Sequence, residues 1–64
     1  MRDINRIHPL CQKIEEYWYT WPDLRFGQWT YNFFKWIKLY KHVDPFYVED
    51  DDMLEMLKEY MKEE

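Results

Sequence analysis

The chain has 64 residues, thirty of them apolar and fourteen of them Phe, Tyr or Trp, with no alanine, no serine and a formal net charge of −4. That length limits it to one domain, residues 1–64, at the lower edge of what folds without a staple, and such a domain hides only about 60% of the surface its unfolded chain exposes. The single cysteine, Cys11, excludes an internal disulfide, and no stretch approaches the ~20 apolar residues of a membrane span or the apolar run of a signal peptide. A cytoplasmic protein without membrane attachment is expected, complete from Met1.

Thirty bulky apolar side chains exceed what one small core conceals, so part of the aromatic complement is expected at the surface, as a binding patch. Charge is uneven as well. Residues 1–43 hold seven Lys/Arg against four Asp/Glu, whereas residues 44–64 hold two against nine. A chain polarised in this way suits charge-complementary neighbours, and two copies can pair head to tail.

Three helical segments are predicted, separated by two proline-marked breaks. In the first, Ile4, Ile7, Cys11, Ile14, Trp18 and Trp21 fall at alternating spacings of three and four, which is one face of a helix. Pro9 lacks an N–H and fits only a first turn, so the helix proper is expected from His8 or Pro9, after a looser turn over 3–7. Pro22 disfavours helical geometry at Trp21 and ends the helix near 18–20. Asp23 is then the expected N-cap of the second and longest helix, Leu24 to about Lys41.

In that helix Phe26, Trp29, Phe33, Ile37 and Tyr40 form the main stripe. Tyr31, Phe34, Trp36 and Leu39 widen it until the helix is apolar most of the way round, broken by Lys35, Lys38 and Lys41. A helix of that kind is either central or in contact with something else. Gly27, the only glycine, is expected to admit a close neighbour, because a helical glycine costs about 1 kcal/mol against alanine. Residues 43–48 carry no helical period, and Pro45 with Phe46, Tyr47 and Val48 reads as an extended connector pinning helix two to helix three. The third helix is expected from Asp50 or Asp51, with acidic 49–52 at its positive end and Met53, Leu54, Leu57, Tyr60 and Met61 facing inward. The fold class is therefore all-α: a three-helix small domain with an extended aromatic connector before the last helix.

Two blocks, Trp21-Pro-Asp-Leu-Arg-Phe-Gly-Gln28 and Asp44-Pro-Phe-Tyr-Val-Glu-Asp-Asp51 with the leucine-containing helix after it, stand out together with Arg2-Asp3 and Asn5-Arg6-Ile7. They resemble a family of short uncharacterised proteins of bacteria, their phages and prophages. The resemblance spans nearly the whole chain and implies a small, mostly helical fold and a link to mobile elements, but no activity. The chain departs from that pattern at Trp29, Phe33, Phe34 and Trp36, where smaller aliphatic residues are expected, and this enlarges its aromatic surface.

Chemistry-bearing constellations are sparse. His8 and Cys11 share a helical face and, with His42 and Asp44, would make a four-ligand zinc set, but structural sites use two well-spaced pairs and Cys11 reads as a core residue. The run Glu49–Asp52 lacks the alternation and the glycine of a calcium loop; it reads as a helix cap, with imitation of phosphates on a nucleic-acid-binding partner as the alternative. Without serine, a third group for Cys11 and His8, or a glycine-rich loop, no enzyme, cofactor or metal is expected. Arg25, Lys35, Lys38, Lys41 and His42, interleaved with rings, form a second reading as a nucleic-acid-binding face, opposed by the acidic balance of the chain.

The favoured reading is a protein–protein interaction module. Its expected surface comprises Trp29, Phe33, Phe34, Trp36 and Tyr40 of helix two, Phe46 and Tyr47 of the connector, and the acids Glu49, Asp50, Asp51 and Asp52. The partner is a foreign protein or a second copy of the chain. With the mobile-element resemblance, the expectation becomes a small inhibitor or regulator of a host or defence protein.

Overall fold

The computed structural model describes residues 2–63, which form three helices: α1 (Ile7–Trp18), α2 (Phe26–Trp36) and α3 (Asp50–Glu63). No strand occurs among the described residues. The all-α, three-helix class expected from the periodicities is the class observed. A single 3-10 turn, Ile4–Arg6, leads into α1, and Asp3 caps it by accepting a hydrogen bond from the Asn5 N–H (3.0 Å). Pro9 then falls at the third position of α1, inside the first turn where a missing N–H loses no helical bond.

The start of α2 departs from expectation. The helix begins at Phe26, and its N-cap is Arg25, held extended (φ −69°, ψ 153°) with its N–H donating to Gln28 Oε1 at 2.8 Å. Asp23 is exposed and makes no capping bond. The cause lies in α1: the Trp18 indole N–H donates to the Leu24 carbonyl at 2.9 Å, and the Leu24 N–H donates to the Trp21 carbonyl at 3.1 Å. Leu24 is thereby held in the turn, and the helix starts two residues later. The Trp18 ring also packs on Phe26, with centroids 5.4 Å apart, so α1 and the start of α2 are joined by one indole.

At its far end α2 widens into a π-type segment, Ile37–Lys41, and stops at His42, which sits in the left-handed region (φ 59°, ψ 34°) usually taken by glycine. The connector that follows is folded rather than extended. Pro45–Tyr47 form a 3-10 turn whose cap, Asp44, accepts from the Phe46 N–H at 3.0 Å, and Pro45 occupies the first position, where its lack of an N–H is harmless. The flanking Asp44 and Val48 are extended.

The core is built from α2 and α3. Trp29, Phe33, Trp36 and Ile37 on one side meet Leu57 and Tyr60 on the other, and Ile37 and Leu57 are fully buried. Phe33 is the hub, with ring centroids 6.0 Å from Trp29, 6.4 Å from Trp36 and 5.2 Å from Tyr60. Aromatic pairs of this kind add about 0.5–1.5 kcal/mol beyond the area they bury. From α1, Leu10, Ile14, Tyr17 and Trp18 close over this cluster. The contact face of α1 is rotated from the predicted stripe: Ile4, Ile7 and Trp21 are exposed, and Cys11, expected in the core, is exposed too.

Charge completes the arrangement. Arg6 pairs with Asp50 and Arg2 with Glu49 (3.1 Å), so the starts of α1 and α3 lie at the same end of the molecule. Two helix starts side by side bring two partial positive charges together, and the acids at 49–52 offset them. At the other end of α2, Lys41 binds Glu59 at 2.7 Å and ties the π-type segment to α3.

Candidate functional site

The aromatic surface assigned to helix two divides in the folded molecule. Trp29, Phe33 and Trp36 are core residues, closed off by α3, and are not available to a partner. Their neighbour Phe34 is 37% exposed where Phe33 is 3% exposed, and Tyr40 is exposed as well. The division follows from helical geometry. Positions 29, 33, 36 and 37 share one side of α2, and positions 27, 31, 34 and 38 share the opposite one.

On that outer side Tyr31 and Phe34, with Phe26 reaching over from the head of the helix, stand around Gly27 and Thr30, with Lys35 and Lys38 at the C-terminal end, and border an open groove of about 450 Å³. Phe26 and Tyr31, which were not among the expected site residues, supply two of its three rings. Gly27 is its floor. A methyl group built there meets nothing within 4 Å, and the residue has no positive φ, so neither a neighbouring element nor the backbone requires glycine at this point. The close internal neighbour expected for Gly27 does not exist. Lys35 and Lys38 take part in no ion pair among the described residues, unlike Lys41, which is held by Glu59.

A second aromatic surface lies on the connector. Phe46 and Tyr47 are 83% and 77% exposed, the most outward of the large rings there, and they meet edge to face at 4.9 Å. Tyr47 borders a shallow cleft with Val43, Asp44, Val48, Glu49, Asp52 and Met56. On their other side the two rings border Arg2, Glu49 and Asp50, so Asp44 and Asp52 are the acids beside them without an ion pair among the described residues. Within the acidic run the four residues have separate fates: Glu49 and Asp50 are engaged by Arg2 and Arg6, while Asp51 and Asp52 are exposed and take part in no ion pair among the described residues.

What sequence reasoning missed was the groove, and Gly27 was the signal. A glycine in a helix that needs none leaves open space over the helix backbone. Chemistry of other kinds finds no assembly. Among the described residues no group of three or more His, Cys, Asp or Glu is placed to hold a metal ion, and no helix is long and apolar enough to cross a membrane. No family model, curated protein or solved structure matches the chain.

Proposed function

We propose that the chain is a protein-docking module that acts by binding, through the groove on the outer face of α2. The observation that carries this is Gly27: a residue that costs the helix about 1 kcal/mol relative to alanine, with open space above it and three apolar rings around it. Phe26, Tyr31 and Phe34 supply the area, and Lys35 and Lys38 favour an acidic partner surface. The resemblance to short phage and prophage proteins extends this reading to a small regulator or inhibitor of a host or defence protein. That extension rests on the sequence blocks and not on the groove.

The test is positional. A photoreactive side chain at Tyr31, with one at Lys62 as control, marks whatever protein occupies the groove in the cell, and the marked protein is then purified and titrated against the wild type and Gly27→Glu. Glutamate is a good helix former, suits the first turn and fills the groove, so the variant keeps its fold. At least a tenfold loss of affinity is expected in Gly27→Glu. A partner that binds this variant as tightly as the wild type removes the groove from the reading. Salt-sensitive binding of a labelled oligonucleotide, abolished by Lys35→Glu with Lys38→Glu, replaces the protein partner with a nucleic acid.

A further inference from the structure

Among its exposed aromatic surfaces, which also include Tyr19 and Trp21 after α1, the chain carries two of opposite charge that share no residue. One is concave: Phe26, Tyr31 and Phe34 around Gly27, with Lys35 and Lys38 at its end. The other lies on the connector: the exposed rings of Phe46 and Tyr47, beside Asp44, Asp52 and the Arg2–Glu49 pair. The connector rings contact each other and no ring of the groove, so the two surfaces do not satisfy one another within a single molecule.

We infer that the Phe46–Tyr47 pair of one copy docks in the α2 groove of a second copy, giving a head-to-tail self-association. The charges select this arrangement over the symmetric ones. Groove against groove sets Lys35 and Lys38 against themselves, and connector against connector does the same with Asp44 and Asp52, Glu49 being already paired with Arg2; only groove against connector sets unpaired cations against unpaired acids. The free lysines and the free Asp52 are thus complementary groups that one molecule keeps apart. Gly27 gives the docked rings close access to the helix backbone. Because the interface joins two different patches, a dimer retains one unused groove and one unused ring pair, and association proceeds beyond the dimer into rings or short filaments.

Size sets the strength. Each aromatic side chain buries roughly 150–250 Å². Two of them with a matching groove give an interface below the about 1,200 Å² of stable complexes, so association is expected at tens to hundreds of micromolar. This inference rests on the groove being a docking surface, and its test separates the two. Sedimentation of the full chain from 10 to about 500 μM is compared for wild type, Gly27→Glu (groove closed) and Phe46→Ala with Tyr47→Ala (connector rings removed). The connector rings are too exposed for their loss to unfold the chain, and circular dichroism checks both variants.

The wild type is expected to show a rising average mass that falls as salt is raised, and each variant alone to remain monomeric. An equimolar mixture of the two variants is expected to form a dimer and nothing larger, since one intact groove and one intact ring pair remain between them. A monomeric wild type over the whole range overturns the inference. So does a mixture that stays monomeric, or a variant that associates as the wild type does. If the wild type is monomeric while Gly27→Glu still loses a foreign partner, the self-association is refuted and the groove stands.

Discussion

Phe33 and Phe34 are adjacent, chemically identical and opposite in environment, and replacing each by alanine tests how α2 divides its rings. Phe33 is 3% exposed and touches the rings of Trp29, Trp36 and Tyr60; Phe34 is 37% exposed and rests on its own helix. Emptying a buried phenylalanine site costs about 3–5 kcal/mol. The whole molecule, at 0.05–0.15 kcal/mol per residue, is stable by only about 3–10 kcal/mol, so Phe33→Ala removes about a third of it or more. Phe34→Ala loses about two thirds of a transfer energy of 2–3 kcal/mol and recovers about 0.5 kcal/mol of helix propensity, leaving about 1 kcal/mol. Urea titration followed by tryptophan fluorescence and far-ultraviolet dichroism measures both, with Phe33→Leu as a milder step should Phe33→Ala fail to fold. With a urea dependence near 1 kcal/mol per molar, the Phe34→Ala midpoint is expected to fall by about 1 M. Equal costs for the two alanine variants would refute the assignment of inner and outer faces.

The same titration checks the caps and ties. Gln28→Ala removes the acceptor of the Arg25 N–H and is expected to cost about 0.5–1.5 kcal/mol, whereas Asp23→Ala is expected to change stability by less than about 0.5 kcal/mol; the reverse order would return the cap to Asp23. His42→Gly relieves a left-handed residue at the end of the π-type segment, and after the extra freedom of glycine in the unfolded chain it is expected to stabilise by about 0.5–1 kcal/mol. Arg6→Ala breaks the partly buried tie between the starts of α1 and α3 and is expected to cost about 1–2 kcal/mol, against about 0.5 kcal/mol or less for Lys13→Ala in the exposed Lys13–Glu16 pair.

The number of helices, the start of α3 and the position of Pro9 were legible because each rests on a local rule: a hydrophobic period, a dipole, a missing N–H. The failures arose where a distant group overrode a local preference. Asp23 is a sound cap by type, but Trp18, six residues before Leu24, takes the Leu24 carbonyl and moves the helix start past it. Pro45 was read as excluding helix; it excludes only an interior position, and at the head of a 3-10 turn it fits. On α1 both Ile7–Cys11–Ile14 and Leu10–Ile14–Tyr17 are acceptable helical stripes. The choice between them was made by what α2 and α3 offer opposite, which periodicity along one helix does not contain.

The site was less legible than the fold for a related reason. Composition correctly places rings in excess, since a core of six buried apolar side chains leaves Tyr19, Trp21, Phe26, Tyr31, Phe34, Tyr40, Phe46 and Tyr47 exposed. Which rings stay outside depends on the side from which α3 approaches α2, and α2 is apolar on too many sides for its own pattern to say. Had Leu57 and Tyr60 met the Tyr31–Phe34 side, Trp29 and Phe33 would form the surface. Gly27 singles out one side: a helical glycine gives up about 1 kcal/mol against alanine, a cost that the docking role proposed above accounts for. Gly27 falls on the side of Tyr31 and Lys38, and there the groove is found.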